Sequence, residues 1–163
     1  MISIDINNLD ENNIIKKNKE LNKILKIPNC YFTQLLYSTE TYSLNGLYIN
    51  FKFNDIQVYK FNNNYTNYNI YKYSINNNKN NNMIVNKIID LEKKILNSYN
   101  KDKIYKIKKL LNEKYIKIFN NFRYNNLNNH YNDVYMVLKI SGICETENNV
   151  YLTFKLFFDL KHL

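Results

Sequence analysis

Apolar and polar residues alternate most regularly near the C-terminus of the chain. Four apolar residues recur at every second position of segment 134–140, namely Val134, Met136, Leu138 and Ile140. Segment 150–157 repeats the pattern with Val150, Leu152, Phe154 and Leu156. A period of two residues is that of a β-strand with one buried face. The pattern therefore predicts two strands, joined by the polar residues 145–149.

Tyrosine and lysine recur on the opposite face of both predicted strands. The residues are Tyr135, Lys139, Tyr151 and Lys155. Aromatic rings beside ammonium groups on an exposed sheet are typical of proteins that bind single-stranded nucleic acid, because bases stack on the rings and phosphates pair with the amines. Tyrosine and lysine are abundant throughout this chain, so one such strand is expected by chance. Outward tyrosines that simply pack beneath helices are the structural alternative.

Four further strands are predicted upstream, over 30–38, 47–53, 56–61 and 68–75. Asn54 and Asp55 suit a two-residue turn, so segment 56–61 is expected to fold back antiparallel on segment 47–53. The outward positions of these two segments add candidate stacking and phosphate-binding residues, namely Tyr48, Lys52, Tyr59 and Phe61. The pattern of segment 68–75 does not indicate which of its faces is buried.

Apolar residues at helical spacing predict three helices, over 10–26, 84–95 and 104–122. Acidic residues at the start of the first helix and lysines at its end suit the helix dipole, and Pro28 ends it. Segment 101–123 carries eight basic residues against two acidic ones. Lys106 and Lys109 are candidates for attracting phosphates to this helix, and the alternative is a basic face that is merely solvated.

Asparagine makes up roughly a fifth of the chain and dominates segments 62–67 and 76–82. Its side chain competes for local backbone hydrogen bonds, so we expect loops there and in the polar segment 125–133. The order of elements is then several strands, an inserted pair of amphipathic helices and a closing hairpin. This order predicts one domain over 1–163, mostly β with α, with a small, partly open β-barrel of the oligonucleotide-binding (OB-fold-like) kind.

The net charge of +9 favours a polyanionic partner, either nucleic acid or an acidic membrane surface. An excess of solvated lysines produced by A/T-rich codons is the alternative. The N-terminus lacks the basic and apolar regions of a signal peptide, and no apolar run reaches the ~18 residues of a membrane span. We therefore expect a soluble cytoplasmic protein that does not enter a membrane.

No cluster of side chains in the sequence indicates an active site. His130 and His162 have no Cys, Asp or Glu at metal-ligand or triad spacing, so both are expected to be exposed to solvent. Two glycines cannot build a phosphate-binding loop or a dinucleotide fingerprint. Cys30 and Cys144 are isolated and are expected to be buried free thiols. We expect no enzymatic activity, no cofactor and no metal ion.

The C-terminal hairpin carries a longer motif. Residues 138–146 read Leu-Lys-Ile-Ser-Gly-Ile-Cys-Glu-Thr, and residues 150–155 read Val-Tyr-Leu-Thr-Phe-Lys. This resembles the signature K-I-S-G-I-W-E-T followed by G-L-T-[FY]-K-F of the single-stranded-DNA-binding proteins of large cytoplasmic DNA viruses and of yeast cytoplasmic linear (killer) plasmids. Cys144 stands where the family has Trp, and Tyr151 stands where it has Gly. Gly142 is expected to allow a bulge or a sharp bend in the strand.

The resemblance implies a non-enzymatic protein that binds single-stranded DNA without sequence preference and supports replication of a cytoplasmic genetic element. The family's acidic, aromatic-tipped tail, which recruits replication proteins, has no counterpart at the end of this chain, so replication partners stay open, as does the oligomeric state. The residues leave two alternatives. One is an RNA-binding or DNA-end-binding protein, and the other is a structural or adaptor subunit whose aromatic face contacts another protein.

Overall fold

The computed structural model describes residues 2–18, 30–61, 69–113, 115–120 and 128–158. Within them the fold is mostly β, with two α-helices. The strands are β1 (Ile4–Asp5), β2 (Ile14–Asn18), β3 (Tyr31–Ser38), β4 (Ser43–Leu44), β5 (Leu47–Phe61), β6 (Asn69–Ile75), β7 (Asp102–Ile104), β8 (Tyr115–Asn120), β9 (Asn128–Glu145) and β10 (Asn149–Phe158). The helices are α1 (Lys79–Leu96) and α2 (Lys106–Asn112), and a 3-10 helix spans Glu11–Asn13.

The described strands form one open sheet. Six of them follow the order β2-β3-β9-β5-β6-β8. Strand β10 pairs antiparallel with β9, β7 pairs parallel with β10, β1 pairs parallel with β5, and β4 pairs with β3. The two ends of the six-strand path, β2 and β8, are not paired with each other among the described residues. The predicted mostly β class with two helices is confirmed, and the sheet is open.

Strand β9 is the centre of the sheet. It pairs with β10 along one edge, and with β5 and then β3 along the other. Its ladder with β10 shifts by one residue at Ser141. A Cβ atom added at Gly142 would lie 2.4 Å from the carbonyl oxygen of Thr33 and 2.5 Å from Cζ of Phe32. The bulge predicted for this region is present, one residue before Gly142. Gly142 itself lets β3 approach β9 closely, which the sequence did not predict.

The core lies between one face of the sheet and the two helices. Helix α1 contacts β5 and β10, and α2 contacts β10. Six of the predicted inward residues are at most 2% exposed: Val134, Met136, Leu138, Ile140, Val150 and Leu152. Phe154 and Leu156 are half-buried against the same core. Burial therefore confirms the inward faces predicted for both C-terminal strands.

Two fully buried polar side chains fix the helices in place. Asn81 of α1 accepts a hydrogen bond from the N–H of Asn54 at 2.8 Å and donates one to its carbonyl at 2.6 Å. The carboxylate of Glu92, also in α1, accepts the N–H groups of Ile107 at 3.0 Å and Lys108 at 2.8 Å. Tyr105 offers no side-chain cap to α2. Glu92 therefore satisfies amides at the start of α2 that would otherwise lack a partner.

The helix predicted over 10–26 is wrong in the part that the structure describes. Residues 11–13 form a 3-10 helix and residues 14–18 form β2, while residues 19–29 lie outside the described part of the chain. Residues 14–18 are extended because they pair antiparallel with β3, from Ile14 opposite Tyr37 to Asn18 opposite Thr33. A neighbouring strand that supplies a full ladder of hydrogen bonds overrides a weak helical pattern.

The turn predicted at Asn54 and Asp55 is also wrong, because β5 runs straight through both residues. Asp55 does adopt the positive φ, 58°, that such turns use. The backbone of Asn54 is bound by Asn81, and β9 pairs with β5 on both sides of Asp55. Beyond Asp55 the strand keeps one buried face, with Ile56 buried and Gln57 exposed.

Three other boundaries differ from the sequence prediction. The long second helix is reduced to α2, with β7 before it and β8 after it, because 115–120 pairs with β6. Residues 79–82 of the predicted asparagine loop form the first turn of α1, with Asn78 as its N-cap, whereas 62–67 lies outside the described residues. Residues 128–133 of the predicted polar loop belong to β9, held by β5.

The cysteines are not free thiols in the structure. Cys30 and Cys144 form a disulfide, with their Cα atoms 5.9 Å apart. The pairing of β3 with β9 places Phe32 directly opposite Cys144, which brings Cys30 within reach. Residues far apart in sequence are neighbours here only because these two strands meet, so their spacing alone did not indicate the pair.

Candidate functional site

The cross-strand register places the predicted tyrosines and lysines on one side of the sheet, opposite the core. Residues directly opposite each other on neighbouring strands project to the same face. Tyr48 pairs with Lys139, and Lys139 pairs in turn with Lys155; Lys52 pairs with Tyr135. We call this surface the tyrosine–lysine face and define it by Tyr48, Asn50, Lys52, Tyr135, Val137, Lys139, Tyr151, Lys155 and Phe157.

The centre of the face carries two lysines directly opposite each other. Lys139 of β9 and Lys155 of β10 are register partners. Neither amine forms an ion pair with a carboxylate of the described residues. Like charges at such positions destabilise a sheet, by roughly 0.2–1 kcal/mol. The pair thus creates a positive site whose repulsion an anion would relieve.

A lysine ammonium lies over each of the three described tyrosine rings of the face. The distances from Nζ to the ring centroid are 5.0 Å for Lys139 over Tyr48, 5.9 Å for Lys52 over Tyr135, and 3.2 Å for Lys106 over Tyr151. Each contact contributes roughly 0.5–1 kcal/mol at a partly exposed site. A base that stacks on one of these rings must therefore share the ring with the amine or displace it.

The remaining charges of the face are unevenly balanced. Lys52 lies 3.4 Å from the carboxylate of Asp133, and both side chains are well exposed, so solvent weakens the pair. Lys106 comes from the first turn of α2, and burial lowers the pKa of its amine. Lys155 is exposed and has no acidic partner among the described residues. The face is net positive, mostly at Lys139, Lys155 and Lys106.

Three predicted site residues are not brought into this arrangement. The backbone of Tyr59 and Phe61 lies in β5, opposite Lys72 and Ile70 of β6, and their side chains lie outside the described part of the structure. Lys109 is exposed one turn further along α2 than Lys106. The core of the candidate site is therefore formed by β5, β9 and β10, with Lys106 added from α2.

Sequence reasoning missed the contribution of β3. Phe32 lies opposite Cys144, which lies opposite Tyr151. Two residues further along, Gly142 of β9 lies opposite Gln34 of β3 on one side and opposite Thr153 of β10 on the other. Phe32 is half-buried, and its ring lies next to Gly142, across β9 from Tyr151. The alternation of segment 30–38 did indicate a strand, but no local signal gives its pairing with β9.

Several ionisable groups away from this face have structural partners. His130 is exposed, as predicted, and contacts the carboxylate of Asp55. Hydrogen bonds from the side chains of Asn76 and His130 lower the pKa of Asp55. Burial raises the pKa of Glu92, against its bonds to the α2 amides. No group of three or more His, Cys, Asp or Glu suited to a metal ion occurs among the described residues.

None of the described helices combines the length and the apolar character needed to cross a bilayer. Comparisons of the chain with protein-family models, with curated proteins and with solved structures find no match. The resemblance of the C-terminal hairpin to a viral and plasmid family therefore depends on the motif residues 138–155 alone.

Proposed function

We propose that this protein binds single-stranded DNA without sequence preference and without enzymatic activity, and that it serves the replication of a cytoplasmic genetic element. The observation that carries the proposal is the opposed pair Lys139 and Lys155, unpaired with acid among the described residues and bordered by aromatic rings. The motif that contains both lysines supports the same function through its resemblance to viral and plasmid DNA-binding proteins.

Binding would exchange one set of contacts for another. A phosphate between Lys139 and Lys155 removes their mutual repulsion, and bases stack on Tyr48, Tyr135 and Tyr151 as the amines above the rings turn to phosphates. Stacking contributes about 1–3 kcal/mol per base. Every base has a flat face, so the contact tolerates any sequence. The cation–π contacts keep the rings oriented in the free protein and are replaced rather than simply lost.

The fold supports an oligonucleotide-binding platform of the OB type. Strand β9 is long, bulged at Ser141 and paired with three other strands, two of them along one edge. Such a bent central strand is what a small, partly open barrel requires. In a reducing cytoplasm Cys30 and Cys144 would be held as two thiols, and the proposal does not depend on their bond.

RNA binding is the nearest alternative, because stacking and phosphate contacts hardly distinguish the two nucleic acids. A protein interface is the other alternative, and one observation favours it. Phe157 is half-buried in the row beside the two lysines, and its exposed part adds apolar surface among charged groups, as in the apolar centre and polar rim of a protein contact.

Fluorescence anisotropy with a labelled oligonucleotide at several salt concentrations tests the proposal. Neutralising about five phosphates should give a slope of log K against log salt near −3.5, at about 0.7 per contact for a single strand. Lys139→Gln should reduce the slope by about 0.7, whereas Tyr48→Leu should lower affinity and leave the slope unchanged. Lys93→Gln, an exposed change on α1, is the control.

Competition between single-stranded DNA, RNA of the same sequence and duplex DNA separates the alternatives. Preference for RNA or for duplex ends would replace the DNA proposal with that ligand. Affinity that is independent of salt, or that is unchanged in Lys139→Gln, would refute the mechanism. Loss of all nucleic-acid retention at moderate salt, with a co-purifying protein that protects Tyr48 and Tyr135, would favour the adaptor alternative.

A further inference from the structure

A pocket rich in asparagine lies away from the tyrosine–lysine face. It has a volume of about 310 Å³ and lies between the end of β6, one side of α1 and the end of α2. Five of its eight lining residues are asparagine. Asn76, Asn77 and Asn82 belong to the asparagine-rich segment 76–82, and the fold brings Asn86 of α1 and Asn112 of α2 beside them. Side chains from three parts of the chain therefore present their amides to one cavity.

The amides of this pocket are available to a ligand. Asn77, Asn82, Asn86 and Asn112 are exposed, and the described residues give their side chains no hydrogen-bond partner. Each amide presents a donor and an acceptor side by side. No acidic or basic side chain lines the pocket. Its chemistry is therefore matched to an uncharged polar ligand rather than to a phosphate or a metal ion.

The floor of the pocket is apolar. Ile75 and Leu111 are buried and Val85 is half-buried, and all three line it. An apolar floor beneath a polar rim suits a flat ring that lies against the floor and makes hydrogen bonds at its edge. The volume lies at the lower end of the ~300–1,000 Å³ range of small-molecule sites.

The wall of the pocket is held before any ligand arrives. Asn78 caps α1 through the N–H of Asn81 at 2.8 Å. The amide of Asn81 binds the carbonyls of Asn54 at 2.6 Å and Asn76 at 3.0 Å. These bonds fix the connector between β6 and α1. A preformed wall reduces the cost of ordering side chains on binding.

We propose that this pocket binds an uncharged nucleobase, with adenine as the base that fits best. Asparagine pairs through two hydrogen bonds with adenine, donating to its ring nitrogen and accepting from its amino group. The apolar floor then contacts one face of the ring. The proposal is independent of the DNA-binding proposal, because none of the residues that define the tyrosine–lysine face lines this pocket.

Titration of the full chain with adenosine, followed by NMR shifts of the backbone amides, tests this site. Adenosine should shift amides of 75–77, 82–86 and 111–112. Asn86→Asp keeps the shape of the side chain but removes its donor, and should weaken adenosine binding about tenfold. Asn82→Asp should act alike, and an acid there suits the start of α1, so the fold is retained. Asn100→Asp, exposed and outside the pocket, is the control.

Several outcomes would overturn the proposal. They are the absence of shifts at millimolar adenosine, equal affinity in Asn86→Asp, and the same shifts with glucose, which would make the pocket a carbohydrate site. Lys139→Gln should leave adenosine binding intact while it weakens oligonucleotide binding. The two proposals can therefore fail separately.

Discussion

Replacing Lys155 by glutamine should raise stability and lower DNA affinity at the same time. Lys155 lies directly opposite Lys139 and has no acidic partner among the described residues. Opposed residues have Cβ atoms ~5 Å apart, and two amines at ~6 Å from each other repel in water by about 0.7 kcal/mol. Screening over a Debye length of ~8 Å at 0.15 M salt reduces it to about 0.3 kcal/mol.

The free energy of unfolding should therefore increase in Lys155→Gln by about 0.7 kcal/mol at low salt and by about 0.3 kcal/mol at 0.15 M, with little change at 1 M. Urea denaturation at the three salt concentrations measures this, with the m-value unchanged. The slope of log K against log salt for an oligonucleotide should fall by about 0.7 in the same variant. A substitution that raises the free energy of unfolding and lowers DNA affinity is typical of a charged residue whose role is to bind a ligand.

Lys93→Gln is a suitable control because Lys93 pairs with Asp90 on the surface of α1. Exposed pairs of this kind contribute about 0–1 kcal/mol, so the control should be neutral or slightly destabilised and should bind DNA normally. A loss of stability in Lys155→Gln, with an unchanged salt slope, would show that Lys155 supports the sheet and contacts no phosphate. That result would refute the reasoning behind the site.

Three other substitutions test the fold that presents the site. Burial raises the pKa of Glu92. Between the ordinary carboxyl pKa and this raised pKa, the folded state holds a proton that the unfolded state has released. The free energy of unfolding should therefore fall as pH rises through that range. Glu92→Gln should flatten that part of the stability–pH curve, and an unchanged curve would contradict the raised pKa of Glu92. Glu92→Leu should cost about 1–3 kcal/mol for each unsatisfied α2 amide. Gly142→Ala should destabilise the fold by about 1–3 kcal/mol or more, because the added Cβ would meet the carbonyl oxygen of Thr33. Ser141→Ala is the control and should be tolerated. Equal urea midpoints of the two variants would show that β3 does not approach β9 closely. Asn81→Leu removes the acceptor of the Asn54 N–H and the shorter of the two bonds to the Asn54 carbonyl, which keeps the 3.3 Å bond from Asn78, and should cost about 2 kcal/mol. Asn80→Ala, which removes only a 3.2 Å bond to the Asn54 side chain, should cost less; similar thermal midpoints would refute the role of Asn81.

The sequence by itself determined the elements whose pattern is both regular and two-sided. The alternation at 134–140 and 150–157 specified the strands, their buried faces and the outward positions of Lys139 and Lys155, because a half-buried strand shows its period directly. The helix at 84–95 was equally clear. The helix predicted over 104–122 was wrong at 115–120, where Ile116 and Ile118 also fit the period of a strand and the segment forms β8.

Only the tertiary structure decided which strands become neighbours. Residues 14–18 are extended because they form a hydrogen-bonded ladder with β3. Strand β5 continues past Asp55 because Asn81 and β9 bind its backbone. Helix α2 ends early because the segment that follows pairs with β6. The same pairings brought Cys30 to Cys144 and Phe32 into line with Tyr151. Strand pairing depends on contacts between residues distant in sequence, so the local spacing of apolar residues does not indicate which strand will be the partner.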